Sequence, residues 1–123
     1  MTRLIRTGFF REMPHGNVSD PSVLDARAVA PGPHQDAIAA YLAAGHVLIA
    51  TPGLAKDVLK DTRDGATPIG PPHYMTDGTY VWPGDVVYYI RTYNVRLPAA
   101  FLAHAMARGF VMPSTIDVTP LTM

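Results

Sequence analysis

His73-Tyr74-Met75-Thr76-Asp77-Gly78-Thr79-Tyr80-Val81-Trp82 is the stretch on which the fold turns. Two runs rich in aromatic and β-branched residues flank Asp77-Gly78, and Asp-Gly between such runs is a strong hairpin signal. Glycine takes positive φ freely and aspartate tolerates it, so the pattern predicts a two-residue turn with Gly78, and Asp77 with it, in the left-handed region. On the C-terminal side of this hairpin Pro83 starts a helix, with Asp85 in the first turn where the helix dipole favours negative charge. Val86, Tyr89, Ile90 and Tyr93 share one face of that helix, and Tyr88, Arg91 and Thr92 lie off it. Leu97-Pro98 opens a last helix, with Phe101, Leu102, Ala105 and Met106 as its apolar stripe and Gly109 at its end. Residues 111–123 carry Pro113 and Pro120 and no clear period, which reads as an extended tail.

On the N-terminal side, Arg3 to Arg11 reads as a first strand interrupted by Gly8. Turns follow at Met13–Asn17 and Ser19-Asp20-Pro21, and Ser22 caps one or two helical turns to Val29. Beyond the breaker Ala30-Pro31-Gly32-Pro33, His34 to Ala44 has Ile38, Tyr41 and Leu42 at helical spacing, with Gly45 where a glycine cap belongs. His46 to Ala50 is a short apolar strand, expected to be buried on both faces. Thr51-Pro52 reads as a helix start, with Leu54, Val58 and Leu59 inward and Lys56, Asp57, Lys60 and Asp61 toward water. Thr62 to Pro72 reads as loop. The order β, α, α, β, α, β, β, α, α predicts an α+β fold. It would be a single small domain over residues 1–123, with an antiparallel or mixed sheet, a C-terminal β-hairpin, and helices packed on the sheet.

Bulk composition narrows the function classes. A chain of 123 residues, 48% apolar and 16% charged, has the size and balance of one globular domain. Ten basic and ten acidic residues cancel, so no stripe displaces phosphate counterions and nucleic acid is not an expected partner. Arg3, Arg6 and Arg11 read instead as a solvated strand face. The absence of cysteine excludes disulfides, thiolate metal sites and a cysteine nucleophile. No apolar run follows the N-terminal arginines, and none approaches the roughly 18 residues of a membrane span, so a cytoplasmic protein without membrane attachment is expected. His15, His34, His46, His73 and His104 stand at no shared-ligand spacing and Glu12 is the sole glutamate, so no metal or other cofactor is expected.

No glycine-rich fingerprint, P-loop, nucleophile elbow, His-Glu-x-x-His or EF-hand loop occurs. Two scattered constellations remain. Asp85 and Tyr88, with Tyr89 and Arg91, offer a carboxylate, a stacking face and a guanidinium fork to a polar ligand. Arg11 and His15, with Glu12, stand at a strand end and in the loop beyond it, where binding residues concentrate on rigid scaffolds. Plain structural roles compete with both: Asp85 serving the helix dipole, Tyr89 in the core, Tyr88 covering an edge, and His15-Gly16 as a simple turn. If the two constellations act together, Arg11, His15, Asp85 and Tyr88 share one patch.

Thr76-Asp77-Gly78-x-Tyr80-x-Trp82-Pro83-x-Asp85, Tyr88-Tyr89, Tyr93 and Leu97-Pro98-x-x-Phe101 resemble a group of small uncharacterised bacterial proteins. Phe10-Arg11-Glu12-x-x-His15-Gly16 and residues 47–58 resemble the same group, which extends the likeness over most of the chain. The resemblance implies a bacterial protein and carries no catalytic residue with it.

Two readings of function follow. The first is an interaction protein, immunity-type or regulatory, that binds a protein partner through a surface rich in Tyr and Trp. The second is a small enzyme of isomerase, cyclase or dehydratase type, free of metal and redox cofactor, working on a small polar molecule through acid–base residues such as Asp85, His15 and His104. Converging polar groups in a cavity favour the second, and an open convex surface favours the first.

Overall fold

The computed structural model describes residues 2–60 and 68–123. The centre of its fold is β7 (Tyr80–Pro83), whose four residues are all buried. Successive strand side chains point to opposite faces, and β7 separates two apolar clusters accordingly. Tyr80 and Trp82 join the larger core with the helices, while Val81 joins Leu4 and Phe9 on the other side.

β7 pairs antiparallel with β6 (Tyr74–Thr76), Met75 opposite Trp82 and Thr76 opposite Val81. The hairpin thus lies in the middle of the sheet. Its connection runs through Asp77, Gly78 and Thr79, and only Gly78 has positive φ, at 96°. Asp77 stays out of the left-handed region because its carboxylate Oδ1 accepts the N–H groups of Thr79 and Tyr80, closing the loop with a side chain.

Two further strands complete the four-stranded sheet, in the order β2-β7-β6-β3. β2 (Ile5–Arg6) runs parallel to β7, and β3 (His46–Ile49) runs antiparallel to β6. β1 (Thr2–Arg3) pairs instead with β8 (Leu121–Thr122), in parallel. The expected first strand is therefore two short pieces, and Gly8, at φ 73°, turns the chain away before Phe9 and Phe10 enter the core. The expected tail returns to the start of the chain, where the Leu4 N–H donates to the Thr122 carbonyl at 2.7 Å. As an edge strand, β3 is not buried on both faces: Val47 and Ile49 are exposed.

The helices pack against Trp82 and Tyr80. α2 (Gln35–Ala43) buries Ile38, Ala39, Tyr41 and Leu42. α3 (Val86–Tyr93) buries Val86, Tyr89 and Ile90, and α4 (Ala99–Ala107) buries Phe101 and Ala105. The short α1 (Val23–Ala26) starts at Ser22, whose hydroxyl accepts the Leu24 N–H. Glu12, from the preceding turn, accepts from the Ser22 hydroxyl and the Val23 N–H.

The helix expected over residues 51–61 does not form in its described part. Thr51–Leu54 is irregular, Gly53 sits at φ 85°, and Ala55–Lys56 forms β4, paired antiparallel with β5 (Pro68–Gly70). Tertiary bonds win over the capping signal. Asp57, expected in water, is fully buried and accepts the hydroxyls of Tyr88 at 2.7 Å and Tyr93 at 2.6 Å. Residue 61 and the part of the expected loop at 62–67 lie outside the described residues. No helix among the described residues is long and apolar enough to cross a membrane.

Candidate functional site

His15 and Asp85, 70 residues apart in sequence, meet in a hydrogen bond. His15 sits in the turn after β2, built by the Met13 N–H donating to the Phe10 carbonyl and the Gly16 N–H donating to Met13. Gly16 is required there, because a Cβ would stand 1.8 Å from the Phe10 carbonyl oxygen. The His15 ring is held edge-on by Phe9, with centroids 5.6 Å apart, and by Tyr74 at 6.4 Å.

Asp85 stands at the N-cap position of α3, yet its side chain makes no capping bond. Its carboxylate turns to His15, with Nε2 3.1 Å from one oxygen and 3.2 Å from the other. A carboxylate only accepts, so Nε2 carries a proton, and in the neutral ring the lone pair is then on Nδ1. Both side chains are nearly enclosed, His15 at 8% exposure and Asp85 at 3%.

The pair lines an open cleft of about 450 Å³, walled by Thr51 to Lys56, Val58, Pro72 and Tyr74. Thr51 is fixed by His73, whose Nδ1 accepts the Thr51 N–H at 2.9 Å. Two atoms of the lining, His15 Nδ1 and Thr51 Oγ1, are buried without a hydrogen-bond partner among the described residues. Buried polar atoms are nearly always satisfied, and leaving one unpaired costs about 1–3 kcal/mol. Two in one cleft mark a place where a ligand gains by supplying partners.

The other two candidate residues are not in this lining. The Tyr88 hydroxyl donates to Asp57, behind Lys56 and Val58 of the cleft wall. Burial of Asp57 works against its charge, but the Tyr93 and Tyr88 hydroxyls and the Leu59 N–H outweigh that and hold its pKa below the usual range. The Asp57 carboxylate in turn pushes the Tyr88 phenol up. Arg11 is exposed in the turn after β2 and its backbone N–H donates to Pro21.

A second polar cluster was not legible as a unit. Asp77, with a fully buried side chain, accepts from the Tyr41 hydroxyl at 2.6 Å and from His104 Nε2 at 2.7 Å. Burial would raise its pKa, but the bonds from Tyr41, the Tyr80 and Thr79 N–H groups and His104 lower it on balance. Arg108 adds a bond to the Asp77 carbonyl at 3.1 Å. Asp77 thereby ties α2 and α4 to the hairpin with every bond satisfied, which is a structural arrangement. His104 on α4 and Arg108 at its C-cap stand four residues apart, the one local sign in the sequence that the two side chains lie close together.

No cluster of three or more His, Asp or Glu side chains among the described residues has the geometry of a metal site. Comparison with family models, with curated proteins and with solved structures finds no match for the chain.

Proposed function

We propose that the His15–Asp85 cleft binds a small polar molecule and moves a proton on it, making the protein a small bacterial, cytoplasmic enzyme of isomerase, cyclase or dehydratase type. The observation that carries this reading is Asp85 giving up the cap of its own helix to hold a histidine 70 residues away. In that arrangement Nδ1 acts as general base. The Asp85 carboxylate fixes the tautomer and stabilises the imidazolium that forms when a substrate proton arrives. Lys56 and the Tyr74 ring on the same lining supply a cation and a packing face for the developing anion. The proton returns from Nδ1 to a different substrate atom, so no redox partner is consumed. Both orphaned atoms are buried, so a ligand reaches them only when the lining shifts, and the irregular Thr51–Leu54 segment of that lining is the kind of element that moves to admit a ligand.

Screening a library of small carboxylates, amides and polyols by backbone amide NMR tests this reading. Binders are expected to shift His15, Thr51 and Asp85, and to lose at least part of their affinity in His15→Gln, which keeps a donor for Asp85 but has no base. A screen in which no compound perturbs the cleft would sink it.

A second reading, docking of a protein partner, is supported by β3. That strand forms one edge of the sheet and exposes Val47 and Ile49, the features of a site for strand addition. The aromatic residues that suggested docking lend it less, because Trp82, Tyr89 and Tyr41 are core and Tyr88 and Tyr93 are bonded to Asp57. Charged substitution of Val47 that abolishes capture of a partner while sparing the fold would favour docking over catalysis.

A further inference from the structure

A second cleft, of about 370 Å³, lies between the β2 end of the chain and the connection from α3 to α4. Its lining shares no residue with the His15–Asp85 cleft. Phe9, Phe10, Leu97 and Pro98 give it apolar walls, and it is within the size range of sites for small molecules.

Its charged groups are two arginines and two aspartates, and one pair is already spent. Arg6 donates to Asp20 at 2.8 Å and lies over the Phe9 ring, 4.0 Å from its centroid. Arg96 remains, exposed and reaching only the Ala30 carbonyl at 3.5 Å. Asp25 also remains: its backbone N–H donates to the Ser22 carbonyl, but its carboxylate has no hydrogen bond or ion pair to any described residue. The same lining contains Thr7, 4% exposed, whose backbone N–H is satisfied by Val81 but whose Oγ1 is buried with no partner among the described residues. A buried threonine hydroxyl with nothing to bond is a standing cost that valine would avoid.

We propose that this cleft binds a free α-amino acid with an apolar side chain. One uncommitted cation and one uncommitted anion around an apolar chamber complement a zwitterion, and they disfavour any ligand with net charge. The α-carboxylate takes the Arg96 fork and, with a shift of the lining that uncovers it, the Thr7 hydroxyl; the α-ammonium takes Asp25, and the side chain packs on Phe9, Phe10 and Leu97. A guanidinium–carboxylate contact of this kind is directional as well as charged, which fixes the ligand's orientation.

Calorimetric and amide-NMR titration of the full chain with L-phenylalanine and L-leucine tests the assignment. 3-Phenylpropionate and 2-phenylethylamine, each lacking one charged group of phenylalanine, serve as comparison ligands. Saturable binding of the amino acids at millimolar concentration or below is expected, with shifts at Thr7, Phe9 and Leu97. Both truncated analogues should bind about tenfold more weakly or worse. Arg96→Gln and Asp25→Asn, at exposed positions, should keep the fold and each weaken binding about tenfold. Thr7→Val should leave the melting temperature unchanged or raise it while weakening binding, a combination that a merely structural threonine does not produce. No saturable binding, equal binding of either analogue, or affinity that survives Arg96→Gln would overturn the proposal.

Discussion

At the scale of single residues, the informative positions are those where an apparent local role yields to a distant contact. Gly45 stands where a left-handed helix cap belongs, but it is not among the residues of positive φ. A Cβ there would lie 2.5 Å from Trp82 Cζ2, so the glycine is required by the approach of the indole. Gly45→Ala is therefore expected to destabilise the protein by about 1–3 kcal/mol through overpacking, read from urea denaturation. An unchanged midpoint would mean that the Trp82 ring has room to shift. Asp85 is the second such position. Asp85→Asn should cost about 1–2 kcal/mol, because the amide leaves buried donors unpaired beside His15. A loss confined to a few tenths would return Asp85 to an ordinary dipole role.

At the scale of elements, the hairpin and the segment after β3 show opposite balances between local signal and packing. Gly78 has φ 96° and nothing nearer to a new Cβ than Ile116 Cγ2 at 3.9 Å, so space is not its constraint. Gly78→Val should still cost about 1–2 kcal/mol, because a β-branched residue resists that backbone conformation. Thr51-Pro52 carries a good helix-start signal, yet the chain continues as an irregular wall and a short strand. Burying Asp57 beneath Tyr88 and Tyr93 requires an extended approach that a helix with Asp57 facing water does not offer. Asp57→Ala should strip two hydroxyls of their acceptor and cost about 2 kcal/mol or more, measured by thermal or chemical melting. It should also loosen the wall of the His15–Asp85 cleft, visible as faster amide exchange at Val58, whose N–H donates to the Tyr89 hydroxyl at 2.9 Å.

At the scale of the whole molecule, ionisable groups link stability to pH from both sides. The Asp57 and Asp77 carboxyls are held below their usual range in the folded protein, so the stability they contribute is present above the unfolded value and lost as pH falls. The Tyr89 phenol is pushed up to about 12, by burial first and by the nearby Asp85 and Asp57 charges after it. Its contribution is present below the unfolded value and is lost as pH rises through that range. The melting temperature should thus fall below about pH 4 and above about pH 10. An acid limb unchanged in Asp77→Asn would count against this assignment. The two ends of the chain are joined in the same global sense. Leu121 and Met123 pack on the cluster of Leu4, Phe9 and Val81, so removing residues 120–123 should lower stability by about 1–2 kcal/mol although it touches no helix.

Periodicity and turn chemistry were enough to establish the α+β class, the hairpin pair and the three longer helices, because these depend on neighbours within a few residues. Ile38, Tyr41, Leu42, Tyr89 and Phe101 are buried as their spacing required. Strand order, the return of the tail to β1, and the burial of Asp57 depend on partners tens of residues away, for which a single sequence carries no signal. Individually, His15 and Asp85 were legible as polar groups in suggestive places, while Arg11 and Tyr88 had the same standing and proved to lie elsewhere. Only the folded chain joined the first two: a parallel β2 beside β7 delivers His15 to the start of α3, and no local rule predicts that two strands will pair in parallel.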